Sequence, residues 1–165
     1  MKRTFGSLRV AVVVMALVAV PLQAAKIIHV TGGGQGTFDA DLDGDGDIDG
    51  SHFGIGVEVL GGGSARGHFT CLMAGNQDFL NLHVMLVEGD VNAGTANPAQ
   101  GMAAFQGSGM LHINGDTQDV TFSVVILHDG GPGIGSFQLT VFDTSGGVIA
   151  AFPPETVQAG LIGIR

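Results

Sequence analysis

The sequence contains no tryptophan and no tyrosine among its 165 residues, and its aromatic side chains are ten phenylalanines. Sugar-binding clefts usually stack their ligand on large aromatic rings that also carry a polar edge. Here such a platform would have to be built from phenylalanine alone. The composition therefore argues against a carbohydrate-binding module or a glycosidase.

Cysteine is almost absent, because Cys71 is the single thiol of the chain. A lone cysteine excludes an internal disulfide, so the fold has to be held by a hydrophobic core. About 140 residues suffice to bury such a core. We interpret Cys71 as a small buried apolar residue; the alternative is a catalytic thiol.

Basic residues are scarce beyond the first 25 positions. Residues 26–165 contain all 15 acidic residues but only Lys26, Arg66 and Arg165 as permanent cations, a net charge of −12. Such a surface is repelled by nucleic acid phosphates and by anionic lipids. We therefore exclude nucleic acid and, after signal cleavage, the membrane as partners, which leaves an unknown extracellular partner.

Residues 1–25 have the pattern of a secretory signal peptide. Lys2, Arg3 and Arg9 supply the positive charge, and the apolar stretch 10–20 is too short to span a bilayer. Cleavage after Ala24 or Ala25 would release one domain, residues 26–165, into a secreted or periplasmic location. The alternative is an uncleaved anchor.

Glycine, with 29 residues, is far above its usual share of about 7%. Together with many β-branched residues it indicates short strands joined by tight turns. Alternating apolar residues predict strands, Asn114–Gly115 predicts a hairpin, and residues 31–36 and 92–101 are interpreted as a turn and a surface loop. We expect an all-β fold, either an antiparallel barrel-like meander or a β-sandwich, with about nine strands near 26–31, 53–60, 67–73, 80–91, 103–113, 120–128, 137–141, 148–152 and 161–165.

The chemically most specific stretch is an aspartate run in which six aspartates occupy every second position from Asp39 to Asp49. Carboxylates this dense repel one another, and calcium, which takes oxygen ligands, relieves the repulsion. Counted from Asp41, the run fits the EF-hand loop positions 1 to 9, with Gly46 at the sharp turn and the ligand candidates Asp41, Asp43, Asp45, Asp47 and Asp49.

The fit is incomplete at position 12, where His52 replaces the bidentate carboxylate, and no helices flank the run. The aspartate run therefore resembles the calcium loops of dockerins and thrombospondin-type repeats more than a full EF-hand. The alternative is a solvated acidic loop without an ion. We expect calcium as the cofactor and an Asp-rich loop, residues 39–50, inserted in the first hairpin.

Several short segments along the mature chain resemble, in order, the post-COAP family of secreted bacterial domains. They are Val30-Thr-Gly-Gly-Gly34, Phe53-Gly-Ile-Gly-Val57, Gly67-His-Phe69, Phe105-Gln-Gly-Ser-Gly109, Ile113-Asn-Gly115, Val120-Thr-Phe122, Asp129-Gly-Gly-Pro-Gly133, Ser136-Phe137 and Gly160-Leu-Ile-Gly-Ile164. Gly131 departs from the family's acidic residue before proline, and the aromatic residue expected after Gly67-His-Phe69 is missing. The resemblance implies secretion and an all-β domain, and it implies no activity.

Catalytic patterns are not evident in the sequence. The histidines have neither zinc-pair spacing nor a glutamate-flanked helical pair, and no serine lies in a nucleophile elbow. In a barrel, His83, His112 and His128 could converge. We expect a secreted, non-catalytic β module, structural or adhesive or for extracellular binding, with a weak calcium loop; the alternative is a small secreted hydrolase or ligand-binding β-barrel.

Overall fold

The protein is all-β, as the sequence predicted. The computed structural model describes residues 26–39, 50–74 and 84–165. Its elements are β1 Ile28–Phe38, β2 Gly50–Val59, β3 Ser64–Ala74, β4 Val84–Asn97, β5 Met102–Ile113, β6 Asp116–His128, β7 Ser136–Phe142, β8 Val148–Ala151 and β9 Glu155–Ile164, with one short 3₁₀ turn at Gly61–Gly63. In these described ranges no helix is long and apolar enough to cross a bilayer.

All nine strands belong to one antiparallel sheet, and eight of them close into a ring. Strands β1 to β7 pair in sequence order, β9 pairs with both β7 and β1, and β8 pairs with β7. The fold is therefore the barrel-like meander and not two stacked sheets. Closure removes most of the unpaired edges that an open sheet would expose.

Side chains that alternate along the strands fill the inside of the ring. The alternating apolar residues of β2, β3, β6 and β7 point inward, and Cys71 is fully buried among them. The buried apolar residues form one cluster; its largest fully buried members are Phe69, Phe122, Phe137, Phe152, Met73, Met85, Leu111, Ile126, Leu139 and Ile162.

Two local predictions are wrong. Residues 31–36 are not a turn but the middle of β1, and residues 92–97 continue β4. In β1 the glycines allow close strand approach, because a Cβ on Gly34 would lie 1.9 Å from the carbonyl oxygen of Ala159. In β4 the alternation of Val84 and Leu86 marks the outer face, whereas Met85 and Val87 are buried.

The turn prediction at Asn114–Gly115 is confirmed. Asn114 and Gly115 have φ angles of 51° and 95°, which suit the tight turn between β5 and β6. The two prolines separate β8 from β9. Both β8 and the start of β9 nevertheless pair with the same strand, β7.

Candidate functional site

The aspartate run lies in the connection between β1 and β2. These strands pair antiparallel up to Thr37 and Gly50, so they form the first hairpin. The predicted ligands Asp41, Asp43, Asp45, Asp47 and Asp49 lie outside the described residues. The structure does describe the residues at which the connection leaves β1 and enters β2.

The start of β9 contacts both of these ends. On the β1 side, the Asp39 amide donates to the Pro154 carbonyl at 3.0 Å, and the Thr156 hydroxyl donates to Asp39 Oδ1 at 3.1 Å. On the β2 side, the Ser51 amide donates to Glu155 Oε1 at 2.7 Å, and the Ser51 hydroxyl donates to Glu155 Oε2 at 2.9 Å. We call these four contacts the β9 clamp.

Glu155 reaches Ser51 from inside the ring. Glu155 on β9 pairs with Phe38 on β1, and Ser51 lies on β2, on the other side of β1. The Glu155 side chain therefore has to cross β1 to reach Ser51. It passes at Gly36, where a Cβ would stand 2.7 Å from both Cγ and Oε1 of Glu155. Glycine at position 36 thus creates the space for a contact between strands that are not neighbours.

Glu155 is only 2% exposed, which makes it the most deeply buried acidic residue among those that the structure describes. Burial raises its pKa, because a charge in an apolar interior loses its hydration; the two hydrogen bonds from Ser51 act in the opposite direction. An ionised carboxylate here is tolerated through the Ser51 contacts, since each oxygen accepts one of them.

Cys71 belongs to the same interior region. Burial raises the pKa of its thiol far above the usual range, and the nearby Glu155 carboxylate raises it further, while a hydrogen bond with Ser51 lowers it. A nucleophilic cysteine needs an accessible thiolate. Cys71 is therefore the small buried residue that we expected from the sequence. Cys71, Ser51 and Glu155 are all enclosed in the core.

A second feature, the outer-wall groove, crosses the outside of β1 to β4. It has a volume of about 710 Å³, and its floor at Gly56 is open, since a Cβ there would meet nothing within 4 Å. Arg66 contacts Glu58 Oε2 through both Nη2 at 2.6 Å and Nε at 2.7 Å. Further along, His68 Nδ1 lies 3.4 Å from Asp90 Oδ1.

Both groove pairs are solvent-exposed, so they contribute little to stability. What they provide is an arrangement of hydrogen-bonding groups around an open floor. His29, whose Nδ1 lies 3.8 Å from Glu58 Oε1, adds a further imidazole. The groove could accept a polar ligand through direct hydrogen bonds.

We considered that His83, His112 and His128 could converge in a barrel. The structure places His112 and His128 far apart. His112 pairs with Thr117 near one end of the β5–β6 hairpin, and His128 lies eleven residues farther along β6, about 36 Å at roughly 3.3 Å per residue. His83 lies outside the described residues. Across residues 26–39, 50–74 and 84–165 no three His, Cys, Asp or Glu side chains are grouped to hold a metal.

The sequence patterns did not identify Glu155 or Thr156 as residues that contact the ends of the aspartate run. The alternation from Glu155 to Val157 places the acid on an inward face, but its partner on β2 is 104 residues away. His52, position 12 of the predicted calcium register, lies in β2 with an exposed side chain.

Comparison of the chain with protein-family models, with curated proteins and with solved structures gives no match.

Proposed function

We propose that residues 26–165 are a secreted, non-catalytic β module, structural or adhesive or for extracellular binding, that carries a weak calcium site in the aspartate run. The observation that carries the proposal is the β9 clamp at the two ends of the run. If the two ends of a loop are already fixed, the loop loses less conformational entropy when it closes around an ion, so binding is stronger. In this proposal the module is released by signal cleavage, and it is a relative of the post-COAP domains.

The proposed ligands follow the register counted from Asp41. Asp41, Asp43 and Asp45 supply side-chain oxygens, Asp47 its backbone carbonyl, and Asp49 acts through a water. Because position 12 is His52, the site lacks a bidentate carboxylate. The expected dissociation constant is therefore about 10⁻⁴ to 10⁻³ M, the range of extracellular calcium modules.

Calorimetric titration of residues 26–165 with calcium tests the site, beside a variant carrying Asp41→Ala, Asp43→Ala and Asp45→Ala. The wild type should bind and melt at a higher temperature with calcium, and the variant should do neither. Magnesium should have less effect, because it requires tighter octahedral geometry and retains its waters. Equal heats and equal melting shifts for both proteins would leave only a solvated acidic loop.

The non-catalytic part of the proposal is supported by the enclosed interior. The described buried polar and charged side chains are Ser51, Ser136 and Glu155, and Ser51 and Glu155 bond each other inside the apolar cluster. A panel of ester, peptide and glycoside substrates should therefore give no turnover. Turnover that disappears when one histidine is changed to alanine would favour the hydrolase alternative.

A ligand-binding module is the second candidate, and the outer-wall groove favours it. Gly56→Leu would fill the open floor without meeting other atoms at its Cβ. A thermal-shift screen with small carboxylates, amines and peptides should yield ligands that stabilise the wild type and lose this effect in Gly56→Leu. Ligands that stabilise both proteins equally would place binding elsewhere.

A further inference from the structure

The outer-wall groove contains the same pair of chemical groups twice. In the first pair, His29 Nδ1 lies 3.8 Å from Glu58 Oε1. In the second pair, His68 Nδ1 lies 3.4 Å from Asp90 Oδ1. In both pairs the two residues are direct cross-strand neighbours, the first between β1 and β2 and the second between β3 and β4. The groove is therefore lined by two imidazole–carboxylate pairs.

The strand register gives the separation of these two pairs. Each residue of the second pair lies two strands away from its counterpart in the first, because β1 to β4 are neighbours in chain order. The second pair is also shifted along the strands, since His68 is opposite Gly56, two residues before Glu58. With strands about 4.8 Å apart and about 3.3 Å per residue, the Cα atoms of the two acidic residues lie about 12 Å apart.

Each pair has the acceptors that a protonated amine requires. An ammonium group donates up to three hydrogen bonds, and both a carboxylate oxygen and a neutral imidazole nitrogen accept them. Glu58 Oε1 is available, since both contacts that Arg66 makes with Glu58 go to Oε2. The Asp90 side chain is 92% exposed, so its carboxylate is open to a ligand.

The charges of the groove favour a cation over an anion. Its lining includes Glu58 and Asp90 as anions and Arg66 as a permanent cation, which leaves a net charge of −1 when the imidazoles are neutral. Residues 26–165 as a whole carry −12. Anionic ligands are repelled by such a surface and cationic ones are attracted. A volume of about 710 Å³ suits an extended molecule better than a single metal ion.

From these observations we propose that the outer-wall groove binds a linear polyamine. One ammonium group is held by His29 and Glu58, a second by His68 and Asp90, and the chain that joins them lies across the groove. The proposal rests on the ligand-binding candidate function given above. It goes further because it assigns the class of ligand and the residues that hold each end.

Spermidine is the probe, since its terminal amines are joined by a flexible chain, and butylamine is the control ligand with one amine. Nuclear magnetic resonance titration of ¹⁵N-labelled residues 26–165 at about pH 8 and about 0.15 M salt keeps ordinary amines protonated and ordinary imidazoles neutral. Amides at 29–31, 56–58, 66–68 and 90–91 should shift together. This local readout separates the groove from polyamine attracted elsewhere on the acidic surface. Butylamine should bind at least about tenfold more weakly, because it lacks a second, tethered amine.

Variants on the outer face test the two ends. Glu58→Gln and Asp90→Asn should each weaken spermidine binding about three- to fivefold, the upper range for an exposed ion pair. Glu88→Gln is the matched control, because Glu88 Oε1 lies 3.6 Å from His112 Nε2 in a pair of the same type outside the groove lining. It should leave the dissociation constant within about 1.5-fold, since exposed charges away from the ligand are screened. Gly56→Leu should abolish binding, and the same spectra show whether each variant is folded.

The outcomes separate the ligand class from the groove itself. Spermidine that shifts no groove amides, or that binds Glu58→Gln and Asp90→Asn as tightly as the wild type, overturns the polyamine assignment. A dilysine peptide that binds more tightly than spermidine also overturns it, in favour of the side chains of a peptide. If the thermal-shift screen still yields ligands whose effect is lost in Gly56→Leu, the groove remains a ligand site of another specificity. If it yields none, the ligand-binding candidate function fails as well.

Discussion

At the scale of single residues, the packing around Glu155 depends on one missing side chain. Gly36 is the point at which the glutamate passes β1, and an added methyl group would meet the Cγ and Oε1 of Glu155 at 2.7 Å. The space is therefore already occupied, and the glutamate is held there by two hydrogen bonds to Ser51.

Gly36→Ala should destabilise the protein by about 1–3 kcal/mol, because an overpacked core forces neighbouring side chains out of position. Gly56→Ala is the matched control in the next strand, since its Cβ would point into open space. Chemical denaturation of both variants measures the difference. If Gly36→Ala is as stable as Gly56→Ala, Glu155 is not confined at Gly36.

The buried carboxyl also predicts a pH dependence. Burial raises the pKa of Glu155 above its ordinary value of 4.5, so the folded protein holds this proton more tightly than the unfolded chain. The resulting stabilisation is complete below the ordinary pKa and is lost as the pH rises through the folded pKa. The free energy of unfolding of the wild type, relative to Glu155→Gln, should therefore fall as the pH increases.

Urea denaturation of the wild type and Glu155→Gln between about pH 2 and pH 8 measures this difference, a range that also covers the region below pH 3.8 in which Asp143 titrates. Asp143→Asn is a control of opposite sign, because hydrogen bonds from Ser145 and Gly147 lower the pKa of Asp143. Its contribution is present above the ordinary pKa and is lost as the pH falls. A wild-type curve parallel to that of Glu155→Gln would mean that Glu155 titrates normally.

At the scale of elements, the β5–β6 hairpin shows a local sequence and a tertiary contact acting together. Asn114 and Gly115 have the positive φ angles of a tight hairpin turn. Asn114 also accepts a hydrogen bond from the Val84 amide at 3.3 Å and donates its own amide to the Val84 carbonyl at 2.9 Å. The turn therefore fixes the start of β4 as well as its own hairpin.

Gly115→Ala should cost about 1 kcal/mol, because an L-residue with a Cβ is strained at a φ of 95°. The strain acts at the turn, so amides of β5 and β6 near residues 113–116 should exchange faster than those near the centre of the hairpin. Denaturation and hydrogen exchange check both statements. Unchanged stability would show that this turn tolerates another geometry.

At the scale of the whole molecule, charge is the dominant global property. Residues 26–165 carry a net charge of −12, and the aspartate run supplies half of it. Repulsion among like charges destabilises a compact state, and salt screens that repulsion over about 10 Å at 0.1 M. In the sequence the run falls between the last paired residue of β1, Thr37, and the first of β2, Gly50.

The melting temperature of calcium-free protein should therefore rise as sodium chloride is added. The triple variant at Asp41, Asp43 and Asp45 should melt higher than the wild type at low salt and respond less to salt. Scanning calorimetry across a salt series measures both effects. A melting temperature that falls with salt would mean that favourable ion pairs outweigh the repulsion.

Much of the fold could be predicted from the sequence because its signals are local. Alternation in β2, β3, β6 and β7 identified the buried faces, since side chains of a strand point to opposite sides. Asn114–Gly115 identified a turn through its backbone preference. The same local rules failed for residues 31–36, where glycine permits close strand approach as readily as it permits a turn.

The sequence by itself determined the all-β class, the acidic character and the presence of the aspartate run, because each depends on residue type and spacing. Only the tertiary structure decided between a ring and two stacked sheets, because this depends on β9 pairing with both β1 and β7. It alone brought Glu155 to Ser51 and Thr156 to Asp39, across more than 100 positions of chain. Contacts at that separation leave no periodicity in the sequence, since they arise only when the ring closes.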